Sequence, residues 1–246
     1  MLSARVSAGY DSRMVDLTSE MAELWAALGP VPTQRGRVLQ FVSARTGEGT
    51  STIAREFARL AAVRSRRPAW LIDADIHDQS QLSAVAMETD RYGTVQGQAS
   101  ASPDGSAFFT IHPPLKDRQG KPMADGRLLH ARAVLGGRLW VTRLRTEAMH
   151  VAQRAQFLGT ADYWEAMRRH ADYVIVDSPA ADRSDAALTL APHMDATVLV
   201  VAADEKDVGD PAALRDALEA ADGFVAGMVF NRAPEHEGRA RRETRA

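Results

Sequence analysis

Six consecutive residues, Gly47-Glu48-Gly49-Thr50-Ser51-Thr52, have the types and order of a phosphate-binding turn. Glycines free the backbone so that its N–H groups form a nest for anionic oxygens, and a following helix N-terminus reinforces that field. In such a loop a lysine offsets the charge of the outer phosphates and the next Ser or Thr holds Mg²⁺. Here the lysine position, between Gly49 and Ser51, is Thr50, which offers a hydroxyl and no charge. Two carboxylate clusters follow downstream. Asp73-Ala74-Asp75 places paired acids one residue apart, able to hold Mg²⁺ or orient a nucleophile. Asp177-Ser178-Pro179 places an acid where a metal-contacting carboxylate stands in nucleotide sites. Taken singly, the turn also reads as a ligand-free glycine turn, and each acid as an ordinary capped strand end. Their order, with spacings of about 25 and then about 100 residues, points to a nucleotide site.

Positioning these groups requires strands that end at one sheet edge. An apolar run from Val38 to Val42 leads into the glycine turn, and helical spacing follows from about Ser51 to Arg64. Ala69 to Ile72 delivers Asp73, and Tyr173 to Val176 delivers Asp177. Further strands are expected at Leu139–Leu144, Ala196–Val201 and Val225–Phe230. Helices are expected at Val15–Leu28, Ala155–His170, Ser184–Leu190 and Pro211–Ala221. Alternating strands and helices predict an α/β fold, a mostly parallel sheet flanked by helices, with ligands at the strand C-termini. Residues 15–233 form the predicted domain, and 1–14 are expected to be a flexible N-terminus. A stretch of about 88–126, rich in Gly, Ser, Pro, Gln and Asp, reads as an insertion or long loop. Within it Phe108–Ile111 looks like a strand, with a weaker candidate just beyond it at Leu128–Val134. Residues 234–246 read as a disordered charged tail.

At 246 residues and a formal net charge of −2, the composition gives no sign of a nucleic-acid binder or a polybasic membrane anchor. The absence of cysteine excludes disulfides, thiolate metal sites and a cysteine nucleophile. The first residues lack the apolar core of a signal peptide, and no apolar run is long enough to span a bilayer, so a cytoplasmic location is expected. The only lysines are Lys116, Lys121 and Lys206, none of them near the glycine turn in sequence.

The segments VSARTGEGTST, LIDADIH and VIVDSPA, in that order, resemble the motifs of the bacterial tyrosine-kinase family. These are P-loop proteins that form the cytoplasmic part of polysaccharide co-polymerases in capsule, exopolysaccharide and holdfast export. The family loop S-x-x-P-G-E-G-K-S-T is matched from Ser43 to Thr52 except at Thr46 and Thr50. Its D-x-D-x-R motif is matched through Asp75, with His77 at the arginine, and its D-x-P-P motif at Asp177 and Pro179, with Ala180 at the second proline. Asp185-Ala186 and Asn231-Arg232 also fit, the asparagine standing where relatives contact adenine. The resemblance spans roughly residues 15–85 and 138–233.

The resemblance implies a P-loop NTPase fold of the deviant Walker A (MinD/ParA-like) kind. It implies ATP and Mg²⁺ as cofactors, held by residues 47–52 and Asn231, with Ser51, Asp75 and Asp177 on the metal. In an active member Asp73 and Asp75 would be the catalytic acids. Against activity, the family's C-terminal tyrosine cluster is absent: Tyr10, Tyr92, Tyr163 and Tyr173 are scattered. The family's ring-forming E-x-x-R-x-x-R helix corresponds best to Glu20, Glu23 and Ala26, with both arginines missing, which argues against a ring though not against every homo-oligomer. The expected function is therefore a catalytically degenerate, kinase-like partner of a membrane polysaccharide co-polymerase, binding nucleotide weakly or not at all. One alternative is an active ATPase or kinase that recruits Arg45 or an insertion lysine, Lys116 or Lys121. Another is a partition-type ATPase.

Overall fold

The computed structural model describes residues 2–7 (backbone course only), 16–30, 35–204 and 209–233. Strand β1 (Leu2–Ser7) is followed by helix α1 (Thr18–Leu28), strand β2 (Arg37–Ser43), helix α2 (Thr50–Arg64) and strand β3 (Ala69–Asp73). Two short helices, α3 (Gln81–Met87) and α4 (Thr89–Tyr92), precede β4 (Gln96–Ser100), β5 (Phe109–His112), β6 (Leu129–Val134), β7 (Leu139–Leu144) and β8 (Arg154–Phe157). The chain continues through α5 (Asp162–His170), β9 (Tyr173–Asp177), α6 (Ala186–Leu190), β10 (Ala196–Ala202), α7 (Gly209–Ala220) and β11 (Val225–Ala233).

Nine strands form one sheet in the order β1-β11-β10-β2-β9-β3-β7-β6-β4. Pairings from β1 through β7 are parallel, whereas β6 and β4 add an antiparallel edge. The central strands are buried on both faces, so they read as continuous apolar runs. Period two then sorts their side chains. Leu39 and Phe41 of β2 face a core shared with Leu24 of α1, Phe57 of α2 and Val85 of α3. Val38 packs on the opposite side with Trp164 and Met167 of α5, and Val42 with Ala187 of α6 and Leu214 of α7. Trp25 of α1 is held in an aromatic group, its ring 4.4 Å from that of Tyr173 and 6.0 Å from that of Phe57. Helices on both faces of a parallel sheet leave the strand C-termini open as the place for a site.

Three expectations need correction. Residues 2–7, expected within a flexible terminus, form β1 against β11; their sequence alternates Leu2, Ala4, Val6 with Ser3, Arg5, Ser7, the period of a half-covered strand. The stretch expected as an insertion or long loop also contributes β4, which pairs with β6, while the strand expected within it at Phe108–Ile111 is β5, which pairs with β8 in a separate two-stranded sheet. The helix expected from Ala155 starts only at Asp162, because Ala155 to Phe157 are taken by β8 and its bonds to β5. There Phe108 and Phe109 bury against Tyr163 and Trp164, a tertiary demand that outweighs local periodicity. The expected tail, 234–246, lies outside the described residues.

Candidate functional site at the β2–α2 loop

β2 carries the chain to the C-terminal edge of the sheet, and residues 44–49 turn it into α2. Gly47 and Gly49 have φ of +90° and +93°, conformations in which a side chain is strained. Gly49 is also packed from behind: a Cβ there would lie 2.1 Å from Nδ2 of Asn231. The N–H groups of Thr52 and Ile53 donate to the Gly49 carbonyl and start the helix.

Protein groups brace the loop from its inner side. Glu48 is buried, and its carboxylate accepts the backbone N–H of Arg45 (2.8 Å) and of Ala202 at the end of β10 (3.1 Å). The Asn231 amide donates to the Glu48 carbonyl (2.8 Å) and accepts the Arg232 N–H (2.9 Å). Arg232 donates to the Gly47 carbonyl (2.7 Å). Glu48 and Asn231, expected to contact a nucleotide, thus direct their side chains to the loop itself. On the other flank Asp182 accepts both the N–H and the hydroxyl of Thr46.

In front of the loop lies a cleft of about 180 Å³ lined by Ser43, Thr46, Gly47, Gly49, Thr50, Ser51, Thr52, Asp75, Ser178, Pro179, Ala180 and Arg183. Thr50, Ser51, Thr52 and Asp75 therefore line one cleft. The Thr50 hydroxyl is enclosed without a hydrogen-bond partner. Asp75 turns one oxygen to the N–H groups of His77 and Asp78 and the other to the Arg183 guanidinium, which closes an ion pair across the cleft.

Asp73 does not line this cleft. It is 1% exposed, and its oxygens accept the N–H of Asp75 (3.2 Å) and of Gln81 (3.0 Å), holding the turn after β3. Burial and then the neighbouring Asp177 carboxylate hold its pKa well above the usual range. Burial likewise pushes Asp177 up to about 6, against the lowering effect of hydrogen bonds from Gln81 and Ser51. Gln81, fully buried at the start of α3, donates from Nε2 to Oδ2 of Asp177 (2.6 Å) and to the Ser51 carbonyl (2.8 Å). Oδ1 of Asp177 has no partner.

These contacts test the site against a Mg²⁺ nucleotide. The phosphate side fits in shape, since the glycine cradle is open, with nothing within 4 Å of a Cβ at Gly47. On the metal side the chain offers the Ser51 hydroxyl and the unpartnered Asp177 oxygen. Among the described residues, no group of three or more His, Asp or Glu side chains is placed to hold a metal ion. Such a donor set suits an ion that arrives with its phosphates rather than one caged by protein.

Gln81 and Arg183 escaped the sequence reading. Gln81 had no predicted helix to place it. Arg183 lies in the short β9–α6 connection, a position that faces the strand C-termini in any such sheet. The cations proposed as substitutes stand elsewhere: Arg45 pairs with Asp210 in the first turn of α7. Lys116 lines a separate cleft of about 730 Å³ with His130 and Arg145, beside the β4–β6 edge. Lys121 closes a turn with Asp117 in that same region.

No protein-family model and no curated protein matches the chain. Solved structures do resemble it. The chimerical protein CapA2B2 superposes with a TM-score of 0.60 at 13% identity, covering 94% of this chain and 94% of that one. The kinase domain of the Escherichia coli tyrosine kinase ETK gives 0.57 at 12% identity, covering 95% and 92%. The VpsO kinase domain gives 0.51 at 16%, covering 80% and 85%. With its glycine loop between β2 and α2 at the open edge of a mostly parallel sheet, the chain shares the α/β fold of the CapA2B2 chimera and of the ETK and VpsO kinase domains.

Proposed function

We propose that this chain is a kinase-like P-loop protein that has lost phosphoryl transfer and acts by binding, as the cytoplasmic partner and regulator of a membrane polysaccharide co-polymerase in exopolysaccharide assembly of the capsule or holdfast type. The observation that carries the first half is the contrast within one loop. Gly47, Gly49, Glu48 and Asn231 keep its phosphate-cradling shape, while the lysine position holds an uncharged Thr50 whose hydroxyl is enclosed. A loop lysine acts where charge develops in the transition state, so its loss harms catalysis more than binding. Burial of Tyr92, Tyr163 and Tyr173 agrees with this, since none presents a hydroxyl for phosphorylation. The second half rests on the motif resemblance and the shared fold. No helix among the described residues is long and apolar enough to cross a membrane.

Affinity for ATP, with and without Mg²⁺, tests the first half on wild type and Thr50→Lys. A hydrogen bond to a charged group contributes roughly 1.5–3 kcal/mol, so the lysine should tighten binding on the order of 10- to 150-fold. Micromolar binding with steady hydrolysis by the wild type would defeat the reading. Co-purification with a two-span co-polymerase encoded nearby tests the second half.

A further inference from the structure

We infer that Arg183 supplies the phosphate-side cation of this cleft, so that the site holds the outer phosphates of a Mg²⁺-bound nucleoside di- or triphosphate without a loop lysine. The inference rests on reading the β2–α2 loop as a nucleotide site. Of the residues lining the cleft, Arg183 is the cationic one. The other arginines near the loop do not line this cleft. Arg45 pairs with Asp210, Arg232 bonds the Gly47 carbonyl, and Arg55 bonds Gln81 and pairs with Glu88.

The backbone that carries Arg183 is stitched to the phosphate loop. Ala181 donates to the Ser43 carbonyl (3.0 Å), Asp182 to the Ala44 carbonyl (3.1 Å), and the Asp182 carboxylate holds Thr46. The arginine therefore has a fixed base beside the glycine turn. Its side chain is 41% exposed, and it meets Asp75 through Nη2. A guanidinium has five N–H donors in a planar fork that matches a phosphate edge. It can keep Asp75 with one nitrogen and take phosphate oxygens with the others. Asp75 is then the anion that parks Arg183 over the cleft. Position and charge are restored by a residue six places after Asp177 rather than one place before Ser51.

The test is calorimetric titration of the full chain with Mg²⁺·ADP and a non-hydrolysable Mg²⁺·ATP analogue. Wild type, Arg183→Ala, Arg183→Lys, Thr50→Lys and the Thr50→Lys/Arg183→Ala double variant are compared, with thermal melts confirming the fold. Arg183→Ala leaves the buried Asp75 carboxylate without its cation, so the melts measure that cost and binding is compared only among variants that remain folded at the titration temperature. Expected is a 10- to 150-fold weaker Kd for Arg183→Ala, partial retention for Arg183→Lys, and recovery in the double variant. Recovery by a lysine at position 50 separates a charge role from a purely structural one. Binding by Arg183→Ala equal to or tighter than wild type would overturn the inference, leaving Arg183 as a mere partner of Asp75. So would a wild type that binds nothing while Thr50→Lys binds, an outcome that keeps the disarmed-loop reading. Failure of every variant to bind would instead sink the nucleotide-site reading, and this inference with it.

Discussion

Asp73 and Asp177 stand directly opposite each other on the adjacent parallel strands β3 and β9. Both are buried, at 1% and 2% exposure, and the two carboxyl groups share the region behind the Ser51 turn through Gln81. Two like charges removed from water destabilise each other, and burial alone favours the protonated form of each. The pair is a strained feature of the site, which a proton, or a cation if bound, would relieve.

That arrangement sets a pH dependence. For Asp177 the pKa rises from 3.8 to about 6 on folding, so its stabilising contribution is fully present below 3.8 and is lost as pH climbs through about 6. Asp177→Asn should therefore be more stable than wild type at pH 7.5, by about 1–3 kcal/mol. The advantage should shrink steadily towards pH 4. Urea melts at four or five pH values between 4 and 8, without Mg²⁺, check this. A difference that stays flat with pH, or grows in acid, would contradict the assignment.

Gln81→Leu removes both side-chain donors at nearly constant volume. An Asp177 oxygen loses a buried donor, and the Ser51 carbonyl loses its side-chain partner. A cost of about 2–4 kcal/mol is expected, more than for a typical surface change. Because the Gln81 bond lowers the Asp177 pKa, its removal should move that titration upward. Carboxyl NMR across the acid range reads the shift, and an unmoved titration would show that the bond does not matter to the charge.

Gly49→Ala tests the cradle itself. The substitution puts a side chain at φ +93° and drives a Cβ into Nδ2 of Asn231, whose amide is committed to the Glu48 carbonyl. The loss should be about 1–3 kcal/mol, the range for a strained left-handed residue. Gly47→Ala has the strain without the clash, since nothing lies within 4 Å of its Cβ. It should cost less in chemical denaturation than Gly49→Ala.

Much of this was legible in the chain. The apolar runs of β2, β3 and β9, broken by Gly47, Asp73 and Asp177, determine the open edge, because a buried parallel strand leaves little choice of reading. Less visible was the antiparallel edge: β4 is made of Gln96-Gly97-Gln98-Ala99-Ser100, residues with no strand signature, held there by pairing to β6. The site showed the same division. Positions in the loop could be read from spacing, but not the direction of their side chains. Glu48 turning inward and Arg183 arriving from another loop are outcomes of packing between elements distant in sequence. Local pattern does not encode them.

One substitution made at two tyrosines should have opposite effects. Tyr92 is fully buried, and its hydroxyl donates to Oε1 of Glu56 (2.6 Å), a carboxylate also bound by Arg59 and Arg91. Tyr92→Phe takes one donor from a buried charge and should cost about 1.5–3 kcal/mol. Tyr163 is equally buried, but its hydroxyl has no partner. Tyr163→Phe keeps the ring packing on Phe108 and Trp164, which stand 5.2 and 5.0 Å away between centroids, and removes an unsatisfied polar group. It should be neutral or stabilising by about 1 kcal/mol. Denaturant melts compare the two directly. Mass spectrometry after incubation with Mg²⁺·ATP adds a functional arm: neither tyrosine should carry phosphate while the fold is intact. Phosphate on either would mean that the burial which separates these hydroxyls from solvent is broken during the working cycle of the protein.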